Sequence, residues 1–225
     1  MRHDNITKMI EMNNVFLVAM GYEIDNIFKP LGFAKNNKHT PYETWTKNDW
    51  VVVDMGLTKT NAAAATQWAI DNFDSEKWIN IGLCGSIKNN FDFGEVVQVN
   101  ECRFHDIDNR GLNPQWKIGQ IPGDESPNII LSNQTTNLKK VKLISGDQFI
   151  DDKSKLAEII SEYDPDVVDE EATAVAKIMK NNGLLDRLLI LKIISDNADS
   201  QASNDFGRED RLFGRITEIV KKMLI

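Results

Sequence analysis

Seven short runs rich in apolar and β-branched residues punctuate the chain, at positions 15–20, 50–53, 78–83, 95–99, 128–131, 141–144 and 188–194. Each is bounded by polar or turn-forming residues, which predicts strands. Segments with helical periodicity stand between several of them, at 60–72, 153–161, 171–182 and 213–224. The alternation predicts an α/β protein with a single mixed β-sheet, largely buried and flanked by helices. The length, 225 residues, suits one such domain over 14–225, preceded by a lead at 1–13. Residues 109–127 hold Gly111, Pro114, Gly119, Pro122, Gly123 and Pro127, which predicts one long loop. Such a loop is either an active-site cover or a surface excursion.

Composition narrows the functional classes. The formal net charge of −8 disfavours phosphate backbones and anionic membranes as partners, because both attract basic patches. Small-molecule chemistry is the expectation. The opening residues lack the unbroken apolar stretch of a secretory signal, and no run reaches the ~18 apolar residues of a membrane span, so a cytoplasmic location is expected. Cys84 and Cys102 form no CxxC pair and suit small buried hydrophobes. His3 and His39 stand in polar sequence, and His105 has acids beside it but no second histidine at metal spacing. Neither a metal nor a cofactor is expected.

Three polar clusters adjoin predicted strands or a helix start, where α/β proteins usually bind ligands. Gly21-Tyr22-Glu23 follows the first run, Asp169-Glu170-Glu171 opens a helix, and Ser195-Asp196 follows the last run. Leaving a buried strand, Asp196 could be kept protonated by desolvation and act as an acid, or it could cap the following turn. Glu23 is either a site residue or a solvated residue starting a helix. Asp169 suits an ordinary N-cap with two glutamates in the first turn. The glycines of INIGLCGS (79–86) predict a turn after a strand that brings backbone close to a ligand, without matching a dinucleotide or phosphate loop.

Taken together, these segments resemble the nucleoside phosphorylase/nucleosidase superfamily, most closely its bacterial methylthioadenosine/S-adenosylhomocysteine nucleosidases. VAMGYE resembles the family's AM-x-x-E, MGLTKTNAAAAT its G-x-G-K-x-NAA and INIGLCGS its INTG-x-AG. HDID and GQIPG are similar to HD-x-D and GQ-x-PG, SGDQFI matches SGD-x-FI, DEEATAVA resembles EMEA-x-A and IISDNAD resembles R-x-SD-x-AD. The resemblance runs from Phe16 to about Phe206. It implies a nucleoside phosphorylase-like fold and hydrolysis of a purine nucleoside, methylthioadenosine or S-adenosylhomocysteine, to free base. Glu23 would activate water, Asp196 would protonate purine N7, Glu171 would hold the ribose hydroxyls and Phe149 would stack on the purine while the backbone of Ile150 reads its edge. Phe206 would close the site; Met20, Leu57, Gly85, Glu170 and Ser195 would complete the nucleoside contacts. Relatives in this branch are homodimers, which makes a second copy the expected protein partner.

Departures from the pattern bear on substrate. Glu170 stands where the family has methionine, Asp169 where it has glutamate, Thr58 at the second glycine of G-x-G-K, and Lys192 near its arginine. The loop after Asp108, carrying Arg110 and Trp116, is about two residues longer than the family pattern. Water is favoured over phosphate as nucleophile because the turn after the first strand offers a glutamate and no arginine; Lys59 and Arg110 are the contrary features. The alternatives are a nucleosidase or phosphorylase for a different purine nucleoside, and a nucleoside-binding relative without catalysis.

Overall fold

The computed structural model describes residues 10–11, 14–37, 40–88, 90–131, 136–205 and 212–225. Its strands, in chain order, are β1 (Ile10–Glu11), β2 (Asn14–Val18), β3 (Ala34–Lys35), β4 (Thr44–Lys47), β5 (Trp50–Asp54), β6 (Phe73–Asp74) and β7 (Lys77–Ser86). They continue as β8 (Val96–Phe104), β9 (Ile129–Ile130), β10 (Lys140–Ser145), β11 (Val167–Asp169) and β12 (Leu188–Asp196). The helices are α1 (Gly21–Glu23, continued by a π-helical turn Ile24–Phe28), α2 (Lys59–Asn72), α3 (Ala157–Tyr163), α4 (Ala172–Asn181), α5 (Ala202–Asp205) and α6 (Gly214–Met223).

All seven predicted strands form, and the sheet is mixed as predicted. Its order is β11-β10-β8-β12-β7-β2-β5-β4-β3, with β9 on β8. β11 also pairs antiparallel with β7, so β7, β12, β8, β10 and β11 close a five-stranded ring. The rest of the sheet extends from it through the parallel neighbours β2 and β5. Closure carries the end of β11 to the end of β7, where Val168 pairs with Gly85.

Period-two alternation explains why β2 is buried on both faces. Val15 and Leu17 enter one apolar cluster with Ala62, Ala65 and Ala69 of α2 and Val175 and Met179 of α4. Phe16 and Val18 enter the other with Ile24, Ile27 and Phe28 after α1 and Ile216 and Val220 of α6. Alanines on α2 let that helix lie close to the sheet. A third cluster, Ile150, Leu156, Ile159 and Tyr163, packs α3 and its lead-in beneath the end of β10.

One expectation is corrected. The segment 79–86 is not a strand followed by a turn; it is strand throughout, part of β7. Its glycines serve close packing inside the sheet. Within the lead at 1–13, Ile10–Glu11 pairs in parallel with Phe73–Asp74. Residues 109–127 carry turns and no helix or strand, as predicted. Among the described residues no helix is long and apolar enough to cross a membrane.

Candidate active site

A cavity of about 270 Å³ opens where the ends of β2, β7, β11 and β12 meet the segment after β10. Each of the three polar clusters contributes to its wall. Glu23, Asp196, Met20, Leu57 and Gly85 line it. So do Phe149, Ile150, Glu170, Glu171 and Ser195. Phe206, His3 and His39 lie outside the described residues. None of the described lining residues comes from 109–127, so that loop is a surface excursion with respect to this chain's own cavity.

Glu23 forms the floor. The turn from β2 into α1 folds its carboxylate back onto the strand end, where Oε2 accepts N–H bonds from Ala19 (3.0 Å) and Met20 (3.1 Å). Oε1 accepts the Leu83 N–H of β7 at 3.1 Å. The side chain is fully buried, which excludes the reading of Glu23 as a solvated helix start. Burial pushes its pKa up to about 7, against the nearby Lys192 ammonium and the three N–H donors, which hold it down. A carboxylate poised near neutrality is suited to general-base work at ordinary pH.

Lys192 lies inside β12 and is 1% exposed, ion-paired at 2.7 Å with Asp169, equally buried. Desolvation opposes its charge, but Asp169, Glu171 and Glu23 together hold its pKa above the ordinary value. Gly82 makes the arrangement possible: a Cβ there would fall 2.8 Å from Lys192 Nζ and 3.1 Å from Glu23 Oε1. The strand therefore carries glycine where ammonium and carboxylate converge. The N-cap position of α4 is Glu171, and its first turn carries no acidic residue, so the expectation of Asp169 as N-cap with two glutamates in the first turn is corrected. Asp169 ends β11, from where its side chain accepts the Ala172 N–H at 3.0 Å and the Ser145 hydroxyl at 2.5 Å.

Glu171 sits above this floor, 5% exposed, with Oε1 accepting the Thr58 N–H at 3.0 Å. Burial and then the neighbouring Asp169 raise its pKa. Thr58 pays a backbone cost for that bond, standing at φ 82°, ψ 157°, a region populated essentially by glycine and costing ~1–3 kcal/mol for other residues. The threonine keeps the backbone conformation that the resemblance associates with glycine at this position.

Asp196 closes the far wall, 7% exposed. Its Oδ1 accepts the Ala198 N–H at 2.7 Å, so it does cap the following turn. Its Oδ2 lies 2.7 Å from Ser195 Oγ, which in turn lies 3.2 Å from the Cys84 carbonyl oxygen. The serine has one hydrogen, and this geometry satisfies either state of Asp196. Ionised, it accepts from Ser195; protonated, it donates to Ser195 Oγ, whose hydrogen then turns to the Cys84 carbonyl. At Gly85 a Cβ would sit 2.7 Å from Asp196 Oδ1, so glycine is needed there too. Phe149 and Leu57, each 47% exposed, form an apolar rim.

Three features escaped the sequence reading. Lys192 was visible as a lone charge in an apolar run, a signal that demands a buried partner, yet only the fold reveals Asp169 as that partner. Cys84, assigned no role, lines the cavity. His105 packs against Gly146, with its Nε2 buried and unpartnered, and burial lowers its pKa. Among the described residues no group of three or more His, Cys, Asp or Glu side chains is placed to hold a metal ion. The cations that spoke for phosphate are engaged elsewhere. Lys59 Nζ binds Asp106 at 2.6 Å, and Arg110 binds Asp108 at 2.5 Å and also Glu158.

Comparison with known proteins places the chain in a family. The family model described as the phosphorylase superfamily matches residues 14–223. A 5′-methylthioadenosine/S-adenosylhomocysteine nucleosidase from Exiguobacterium sp. is 30% identical over 179 residues, 73% of this chain and 75% of the relative. Among solved structures, the Helicobacter pylori enzyme of the same name superposes with a TM-score of 0.81 at 23% identity, covering 95% of this chain and 97% of that one. The futalosine hydrolase of Helicobacter pylori superposes equally well, with a TM-score of 0.81 at 22% identity and the same coverage. At these identities the two structures establish the fold.

Proposed function

The chain belongs to the phosphorylase superfamily, and from that premise we propose that it hydrolyses the N-glycosidic bond of an adenine nucleoside, methylthioadenosine or S-adenosylhomocysteine. The observation that carries this reading is the pairing, in one cavity, of Glu23 on a buried floor with Asp196 on the opposite wall. N-glycoside cleavage needs an acid for the departing base and a base for the attacking water.

In the proposed reaction Glu23 takes a proton from water as the oxygen forms its bond to C1′. The C1′–N9 bond breaks, its electron pair passes into the purine, and Asp196 supplies the proton that neutralises N7. Glu171 holds the ribose hydroxyls, Phe149 stacks on the base and the Ile150 backbone reads its edge. Ser195 keeps Asp196 satisfied before and after proton transfer. The cavity carries Glu23, Asp169, Glu170, Glu171 and Asp196, a set of carboxylates that repels inorganic phosphate and favours the cationic sugar of an oxocarbenium-like transition state. That electrostatic balance supports water as nucleophile. Release of free adenine by the purified protein in phosphate-free buffer tests the reading.

The same reading makes the enzyme a cytoplasmic homodimer. Free Cys84 and Cys102 suit a reducing compartment. An open groove between α2 and α4, lined by Ala63, Ala64, Phe104, Ile107, Ile121 and Ile178, offers an apolar face to a second copy. The mass in solution, measured by light scattering, is expected at twice the 25.5 kDa of one chain. A monomeric mass at micromolar concentration would contradict the dimer.

A further inference from the structure

The cavity is graded from floor to rim. Glu23 is fully buried, Glu171 is 5% exposed, and Glu170 is half-buried beside the exposed rim residues Leu57 and Phe149. Among the described residues Glu170 has neither a hydrogen bond nor an ion pair, although it lines the cavity. Burial raises its pKa, and the neighbouring Asp169 and Asp147 raise it further. The cation on that side, Lys59, is already held by Asp106 at 2.6 Å and stands 3.8 Å from Asp147. A partly desolvated carboxylate whose charged neighbours are also carboxylates is unsatisfied until a donor or cation reaches it.

The position fixes what part of a ligand could do so. In the proposed orientation the base lies toward Asp196 and the ribose over Glu23 and Glu171, which leaves the 5′ substituent to pass out along the rim. We propose that Glu170 is a specificity-determining residue that receives an ammonium group on the 5′ substituent, so that the enzyme prefers amine-bearing 5′-thioadenosines to the bare methylthio compound. The inference rests on the nucleosidase reading for the orientation of the ligand. It also implies discrimination against a 5′ substituent whose charge is purely anionic, because that group would approach both Glu170 and Asp147.

The test compares kcat/KM for methylthioadenosine, a 5′-aminopropylthio analogue and a 5′-carboxyethylthio analogue, using wild type and Glu170→Gln. Glutamine keeps the shape and removes the charge. The expected result is a ratio of amine to methyl compound that falls about tenfold in Glu170→Gln, with a rise for the carboxylate compound relative to methyl. Ratios unchanged by the substitution would overturn the proposal. Should wild type release no adenine from any of the three, the nucleosidase reading itself has failed. Calorimetric affinities of the amine and methyl compounds for the two proteins then decide the role of Glu170 by the same ratio.

Discussion

Replacing Asp196 with asparagine is expected to lower kcat by ~10²-fold or more while leaving nucleoside affinity nearly intact, because it removes a proton donor and little else. The geometry explains why the fold should tolerate the change. An asparagine oxygen can still accept the Ala198 N–H that Oδ1 accepts at 2.7 Å, and its amide can donate to Ser195 Oγ, 2.7 Å from Oδ2. The serine then donates to the Cys84 carbonyl, 3.2 Å away. Ala198 N–H, Ser195 Oγ and the Cys84 carbonyl each keep a partner, so the thermal midpoint should move little. Single-turnover kinetics beside calorimetric affinity separate the two effects. Near-normal turnover in the variant would place the acid elsewhere.

Removing the ammonium under the floor should have the other large effect. Lys192 and Asp169 are each 1% exposed and 2.7 Å apart, so Lys192→Met leaves a carboxylate buried without its counter-ion, a change that typically costs ~3–5 kcal/mol. The consequence for catalysis follows from the sign of the interaction. Burial has raised the Glu23 pKa to about 7, and Lys192 is the largest influence holding it down. Without that charge the pKa rises further and less Glu23 is ionised at neutral pH. In wild type, kcat/KM should climb as pH rises through about 7; in Lys192→Met that limb should move to higher pH. At pH 7 the rate should fall by ~10². Lys192→Arg preserves the cation, and it should keep the limb near its wild-type position, which separates an electrostatic role from bulk. An acid limb at the same pH in wild type and Lys192→Met would contradict the assignment of Glu23 as the base under Lys192 control.

Much of this site was legible in the sequence because its parts sit at strand exits, where a polar residue interrupts an apolar run. Glu23 and Asp196 stand out in that way, Glu171 stands in a polar cluster opening a predicted helix, and motifs in register joined them. The Lys192–Asp169 pair was not legible. Its partners lie on β12 and β11, and they meet only because the sheet closes into a ring. Local pattern also misjudged INIGLCGS, since glycine ordinarily signals a turn. Here Gly82 and Gly85 remain in strand geometry because side chains from neighbouring segments occupy the space their own would take. β11 escaped prediction for a different reason: three residues, Val167–Asp169, are too few to show a period. Likewise the turn Gly21–Phe28 begins with glycine and carries Asp25 and Asn26, which mask its helical face.

Phosphate dependence is the most direct test of the central claim that Glu23 directs water to C1′. Purified protein is incubated with methylthioadenosine and with S-adenosylhomocysteine in buffer freed of phosphate, and both adenine and the sugar product are quantified. The account predicts undiminished adenine release and a free reducing sugar, with added phosphate leaving the rate unchanged. Turnover that requires phosphate and yields the sugar 1-phosphate would contradict it.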